Sequence, residues 1–221
     1  MIIDLHVHTK YSRDSNIEPD ELFRVAKARS LDGIAVTDHD TIKGWERFPD
    51  GDGFAVIRGL ERTTDRGSVI GLFLNEGIEA QGFWETIDEI RGQGGVVVLP
   101  HPCDRFRRDA PKVGSLDRRL LEATVDAVEV FNARCLLDRF NKDAEKLAEY
   151  LGKHRVGGSD AHTMGEVGNA RTLFDCDSLE EVHAQLKSGG SINTVVQGQL
   201  SGTLVHVSSM LNSARARVRF P

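Results

Sequence analysis

Hydrophobic residues along the chain fall into short β-branched runs, separated by longer segments with apolar residues every three or four positions. The first pattern is typical of buried strands and the second of amphipathic helices, so their alternation predicts an α/β fold. We expect strands near residues 2–7, 33–37, 55–59, 68–74, 96–99, 127–131, 155–158, 170–174 and 192–196.

Local signals mark three of the helices. Pro19 at a first-turn position, followed by two acidic residues, predicts a helix that runs to residue 30. Apolar residues spaced three and four apart predict a second helix over 137–151. Ser178 and Glu181 form a capping box, which predicts a third helix that ends near residue 187.

The chain has no long linker and no internal repeat, so we expect one domain over residues 1–198. Residues 199–221 look like an appended helix that packs on this domain or extends it, and three arginines lie near its end. For this tail we expect a solvated or packing role, with nucleic-acid contact as the alternative.

Composition places the chain among ordinary globular proteins. Its 221 residues are 39% hydrophobic, and 28 Lys+Arg against 34 Asp+Glu give a net charge of −6, which disfavours non-specific binding to nucleic acid. The apolar runs are too short to cross a membrane. Three cysteines without a CxxC pair, and a beginning without a secretory pattern, lead us to expect a cytoplasmic protein.

Histidine and acidic residues collect where the predicted strands end. His6 and His8 are two positions apart in a strand, so their side chains share one face and can bind one ion. Later strands are followed by Thr-Asp-His-Asp, Gly-Leu-Glu, His-Pro and Gly-Ser-Asp-Ala-His. Each motif alone can be turn or surface chemistry, but parallel strands bring their carboxyl ends to one rim. Because so many ionisable groups are costly to bury together, the combination predicts a metal site.

These motifs, in this order and spacing, resemble the PHP (polymerase and histidinol phosphatase) family of metal-dependent phosphoesterases over about residues 1–175. The resemblance implies a distorted (β/α)7 barrel with two or three divalent metals, Zn, Mn or Fe, at the carboxyl rim. Histidine and carboxylate ligands suit these ions on chemical grounds as well.

The resemblance also implies three ligand sets. They are His6, His8, Glu61 and Asp160 for one metal, Glu61 as a bridge with His101 for a second, and Asp14, His39 and His162 for a third. Many small members have a histidine where this chain has Ser68. The second metal is therefore short of one protein ligand, and two filled sites are expected more firmly than three.

Such a cluster predicts hydrolysis of a phosphomonoester, with metal-bound water as the nucleophile. Asp4 and Asp38 are candidates to orient the ligand imidazoles. Asp40 or His162 is the candidate acid that protonates the leaving group.

Arginine offers a planar fork that matches phosphate oxygens, and arginines follow two of the rim strands. We expect the substrate-binding residues to come from these two loops: Arg105, Arg107, Arg108, Asn132 and Arg134. The expected substrate is a small phosphorylated molecule, such as a nucleotide, a sugar phosphate or histidinol phosphate, and nucleic acid is not the expected partner.

Three other functions stay open. Relatives of this barrel serve beside polymerases, which leaves an exonuclease or another nucleic-acid-processing phosphodiesterase. Amidohydrolases also begin with His-x-His, although Asp160 followed by His162 favours phosphate chemistry. Ser68 gives some support to a non-catalytic, metal-stabilised binding module.

Overall fold

The computed structural model describes residues 1–48, 53–188 and 195–200. Its strands are β1 Ile2–Val7, β2 Gly33–Val36, β3 Ala55–Thr64, β4 Gly67–Leu72, β5 Val96–Leu99, β6 Ala127–Asn132, β7 His154–Gly158, β8 Ala170–Leu173 and β9 Val195–Gly198. Its α-helices are α1 Pro19–Ala28, α2 Phe83–Gly92, α3 Arg118–Thr124, α4 Asp138–Leu151 and α5 Leu179–Lys187.

The strands form one sheet that curves into a nearly closed barrel, in the order β7-β6-β5-β4-β3-β2-β1-β8-β9. The first three strands pair in parallel, as do β5, β6 and β7, while β4 runs antiparallel between the two groups. The segment after β7 closes the barrel, because Asp160 N donates to His6 O at 2.8 Å and His8 N donates to Ala161 O at 3.0 Å. The predicted distorted α/β barrel is confirmed.

The barrel interior is apolar. One buried cluster takes side chains from every strand from β1 to β7, including Leu5, Ile57 and Val98, and Val182 and Leu186 of α5 pack against them. No helix in the described ranges has the length and apolar character needed to cross a bilayer.

The structure changes several predicted boundaries. Strand β3 continues through Glu61 to Thr64, because residues 59–64 pair with residues 67–72 of β4, so Glu61 lies within a strand and not after it. Helix α1 ends at Ala28, before Ser30, whose φ of 56° is left-handed. Helices α4 and α5 match their predicted ends closely. Residues 192–194 of the predicted last strand and 201–221 of the predicted tail lie outside the described residues, so the tail helix stays a prediction.

Candidate metal centre

Four predicted ligands converge on one point at the carboxyl rim. His6 Nε2 lies 3.3 Å from Glu61 Oε2 and 3.6 Å from Asp160 Oδ1, and His8 Nε2 lies 3.4 Å and 3.3 Å from the same two oxygens. All four side chains are buried. Ligands about 2.1 Å from a tetrahedral ion lie about 3.4 Å apart, so this arrangement fits one divalent cation.

The second predicted group lies beside the first. Asp14 Oδ2 is 3.5 Å from His39 Nε2 and 3.3 Å from His162 Nε2. The His8 ring lies between these imidazoles, with its centroid 4.5 Å from that of His39 and 4.3 Å from that of His162. The structure therefore brings together all three residues predicted for another metal.

Glu61 faces two groups of ligands with its two oxygens. Oε2 approaches His6 and His8, whereas Oε1 lies 3.3 Å from His101 Nε2. This geometry suits a carboxylate that bridges two ions.

Several buried polar atoms of the cluster have no hydrogen-bond partner among the described residues. They include Asp14 Oδ1, His39 Nδ1, Glu61 Oε1, Asp160 Oδ1 and both ring nitrogens of His101. An unsatisfied buried polar group costs about 1 to 3 kcal/mol, and a bound cation would satisfy those that face it. The residues present therefore fit divalent metals.

Charges within the cluster set the ionisation of its members. Burial alone would lower the pKa of His6, but the carboxylates of Asp160 and Glu129 outweigh burial and raise it well above its ordinary value. Burial would raise the pKa of Glu61, but His39 and the other imidazoles hold it well below its usual range. The carboxylates are thus kept in the ionised form that binds cations.

The two outer histidines differ in charge. Burial would lower the pKa of His39, but Glu61 and Asp14 raise it to about 9. Burial, Arg134 and His8 together lower the pKa of His162 to about 3. His162 is therefore a neutral imidazole, which suits a metal ligand better than a proton donor.

The other candidate acid, Asp40, lies at the edge of the cluster. Its Oδ1 accepts hydrogen bonds from Thr63 N at 3.0 Å and from Arg62 Nη1 at 3.1 Å. Its backbone is left-handed, with φ of 55°. The proton-donor roles of Asp40 and His162 stay predictions.

The imidazole of His6 is oriented by Glu129, a carboxylate to which the sequence analysis gave no role. Asp38 accepts hydrogen bonds from the backbone and hydroxyl of Thr9, and Asp4 binds backbone amides, including that of Ser159. It is Glu129 Oε1 that lies 2.9 Å from His6 Nδ1. The sequence does contain a signal for this role, because Glu129 is an acidic residue inside the otherwise apolar strand Ala-Val-Glu-Val-Phe.

A second missed residue supports the opposite side of the cluster. Glu166 Oε2 accepts a hydrogen bond from His162 N at 2.9 Å, and Oε1 lies 3.4 Å from Arg134 Nε. Glu166 stands in a short polar loop, and nothing in its local sequence distinguishes it from a surface charge.

Three of the five predicted substrate-binding residues contact the metal-ligand cluster. Arg107 Nη2 contacts Asp160 Oδ2, Asn132 Nδ2 donates to the same oxygen at 3.2 Å, and Arg134 Nη1 lies 3.8 Å from Asp160 Oδ1. Arg108 is exposed and lines a cavity of about 420 Å³ that Asp14 and His39 also line.

Arg105 has an exposed side chain. It lines a second cavity of about 700 Å³, which Arg107, Cys103 and Val113 also line. The loop that carries the three arginines therefore turns only Arg107 directly onto a metal-ligand candidate.

Two archaeal relatives match much of the chain. Uncharacterized protein MJ1587 of Methanocaldococcus jannaschii is 39% identical over 147 residues, which are 60% of this chain and 82% of the relative. Uncharacterized protein MJ0417 of the same organism is 37% identical over 183 residues, which are 82% of this chain and 73% of the relative.

Solved structures share the fold. PsfC from Pseudomonas syringae has a TM-score of 0.68 at 24% identity and covers 97% of this chain and 98% of its own. A two-domain protein from Bacteroides vulgatus, described as containing a "predicted PHP-like metal-dependent phosphoesterase", has a TM-score of 0.65 at 19% identity, over 96% of this chain and 69% of its own. An amidohydrolase from Chromobacterium violaceum, with bound sulfate and no metal, has a TM-score of 0.58 at 17% identity, and the match covers 83% of this chain and 96% of the amidohydrolase.

Family models match two stretches of the chain. The PHP domain covers residues 4–94, which include the motifs of β1, β2 and β3, and a PHP-associated segment covers residues 138–190, which include Asp160 and His162. The chain belongs to the PHP domain family.

Proposed function

We propose that the protein is a metal-dependent phosphoesterase that hydrolyses small phosphomonoesters. The observation that carries this proposal is the contact between a metal-ligand cluster and two guanidinium groups. Arg107 and Arg134 both approach Asp160, which also faces the imidazoles of His6 and His8. A guanidinium beside a divalent cation is a combination that suits the oxygens of a phosphate group.

The first group of residues would bind the metal. His6, His8, Glu61 and Asp160 would hold one cation. Bound divalent cations supply water activation near neutral pH and stabilise the charge on the entering and leaving oxygens.

Other groups would position the ester. Arg107 and Arg134 would bind its non-bridging oxygens, since each offers a planar pair of donors. Asn132 keeps Asp160 in place through its 3.2 Å hydrogen bond.

The cavity favours a small substrate over a polymer. Its volume of about 420 Å³ is that of a small-molecule site. Arg13, Arg108 and Lys112 line it, together with the carboxylates of Asp14, Asp65 and Asp109, so cationic groups that could bind a phosphate stand close to the candidate ligands. The net charge of −6 for the whole chain disfavours a nucleic-acid surface elsewhere.

A substrate panel tests the proposal. Protein loaded in turn with Mn²⁺, Zn²⁺ and Fe²⁺ is given nucleotides, sugar phosphates, histidinol phosphate, a model phosphodiester, single-stranded DNA and amide substrates. We expect release of inorganic phosphate from the monoesters. Faster cleavage of the diester, the DNA or an amide would overturn the proposal in favour of an exonuclease or an amidohydrolase, and no turnover by fully loaded protein would favour a binding module.

One pair of arginine variants tests the substrate contact. Arg107→Lys keeps a positive charge near Asp160 but loses the planar fork, so we expect KM to rise about tenfold or more. Arg105→Lys is the matched control, because the Arg105 side chain is exposed, whereas that of Arg107 contacts Asp160, and its KM should be unchanged. Equal KM values for the two variants would contradict the assignment of Arg107.

A further inference from the structure

We propose that Asp109 is a metal ligand that completes the second site with Glu61 and His101, in the position where Ser68 cannot serve. This inference rests on the proposed metal centre and deepens it by assigning a ligand outside the sequence motifs. One ligand atom each of Glu61, His101 and Asp109 lie within 4.8 Å of one another. Glu61 and His101 are buried and Asp109 is half-buried.

The atoms that face this point lack other partners. His101 Nε2 and Glu61 Oε1 are buried 3.3 Å apart, and neither has a hydrogen-bond partner in the described part of the chain. The Ser68 hydroxyl is also buried without a partner. A neutral hydroxyl is not among the usual ligands of Zn²⁺, whereas imidazole and carboxylate are. A third protein ligand would therefore come from another residue, and Asp109 supplies a carboxylate.

The backbone holds Asp109 against the β3–β4 hairpin. Ser68 N donates to the carbonyl oxygen of Asp109 at 2.6 Å, and Lys112 N donates to Arg66 O at 2.9 Å. Gly67, with φ of 105°, allows this approach, because a Cβ there would lie 2.5 Å from Ala110 O. The loop is thus fixed beside Ser68 at two points.

The strand register places Ser68 and Glu61 on the same side. Thr63 pairs directly with Ser68 and lies two residues after Glu61, so the three side chains share one face of the hairpin. A side chain that enters from the Asp109 loop reaches the same space that a longer residue at position 68 would fill.

A carboxylate ligand would also change the choice of metal. Imidazole suits Zn²⁺, while carboxylate oxygens favour harder ions such as Mn²⁺. With Asp109 as a ligand, the second site should prefer Mn²⁺ more strongly than the same site with an imidazole at position 68.

Asp109 has an alternative role as a charge partner of Arg107, whose electrostatic surroundings include it. In that case Asp109 would stabilise the loop without binding an ion. The number of bound ions separates the two roles.

Calorimetric titration of metal-stripped protein with Mn²⁺, supported by elemental analysis, is the test. We expect Asp109→Asn to bind one ion fewer per chain, or to bind that ion at least tenfold more weakly. The double variant Asp109→Asn with Ser68→His should recover the ion. Asp65→Asn is the matched control, because Asp65 lines the same cavity and its amide can still accept the hydrogen bond from Phe83 N, so its stoichiometry should be unchanged.

Two outcomes of this titration would overturn the proposal. The first is a stoichiometry and affinity in Asp109→Asn equal to those of the parent. The second is loss of an ion that Ser68→His does not restore, since the loss would then come from a disturbed loop. The titration measures metal binding and not hydrolysis. If the protein needs Asp109 to bind its ion but cleaves no ester, the proposed function is refuted and the assignment of Asp109 is not.

Ser68→His alone gives a second measurement that does not require Asp109 to be changed. We expect it to shift the competition between Zn²⁺ and Mn²⁺ at the second site toward Zn²⁺. The proposal requires that positions 68 and 109 face the same ion. An unchanged preference between Zn²⁺ and Mn²⁺ would show that they do not, and would overturn the proposal.

Discussion

Glu129 shows how one buried acid can organise several ligands. Its Oε1 lies 2.9 Å from His6 Nδ1, and its Oε2 accepts hydrogen bonds from His101 N at 2.7 Å and from Asn132 Nδ2 at 3.0 Å. When Nδ1 of His6 donates to this carboxylate, the lone pair of Nε2 is free to face a cation. Glu129 therefore fixes both the orientation and the tautomer of His6.

We predict that Glu129→Gln weakens metal binding by about ten- to a hundredfold, because the amide cannot provide the same negative charge behind His6. Calorimetric titration with Mn²⁺ is the measurement. Glu122→Gln is the control, since Glu122 is a half-buried residue of α3 that pairs with Arg118 at 2.6 Å. Equal affinities in the two variants would show that Glu129 does not act on the ligands.

At the residue scale, the sequence identifies candidate ligands that stand in motifs and misses the acidic residues that reach the site from other segments. His6 and His8 share a strand face by simple alternation, so their proximity is a local property. Asp109, Glu129 and Glu166 reach the site only because separate strands and loops meet there. No local spacing encodes that meeting.

Among the elements, β7 and β1 approach each other closely beside the candidate metal centre. A Cβ on Gly158 would lie 2.3 Å from His6 Cβ and 2.7 Å from Glu129 Oε1. Asp160, two residues later, has a left-handed φ of 54°, which costs a non-glycine residue about 1 to 3 kcal/mol. The glycine therefore lets β7 approach β1 closely enough for Asp160 to meet His6 and His8.

We predict that Gly158→Ala lowers the free energy of unfolding by about 1 to 3 kcal/mol, because the added methyl group must push the two strands apart. Denaturant unfolding measures this. Gly92→Ala is the control, because outside its own turn of helix no atom lies within 4 Å of a Cβ at that position, and it should be neutral or stabilising by up to about 1 kcal/mol. A stable Gly158→Ala variant with unchanged metal affinity would contradict the close packing.

The predicted elements differ in how well local chemistry specifies them. Ser178 Oγ accepts a hydrogen bond from Glu181 N at 3.2 Å, so the start of α5 follows from its own four residues. The end of β3 cannot be predicted from its local sequence, because residues 61–66 are polar and resemble a loop. Pairing with β4 satisfies their backbone groups, and that pairing depends on the partner strand.

At the scale of the whole molecule, the barrel gathers charge that no single segment would tolerate. Ligand candidates from β1, β3 and the segments after β2, β5 and β7 lie together, buried at one rim. The carboxylates raise the pKa values of His6 and His39, so in the absence of a cation protons on these imidazoles offset part of the negative charge. Cations and protons therefore compete for the same groups.

We predict that metal binding releases protons and strengthens as the pH rises. His39, with its pKa raised to about 9, carries a proton at pH 7 in the metal-free protein, and an ion can bind its imidazole only after that proton leaves. Affinity for Mn²⁺ should thus increase from pH 7 toward pH 9. Titration in buffers of different ionisation enthalpy counts the protons released. His39→Asn should release about one proton fewer than the parent. His183→Asn is the control, because His183 contacts Gly94 O away from the ligands, and it should release as many protons as the parent. Equal proton counts in all three proteins would contradict the linkage.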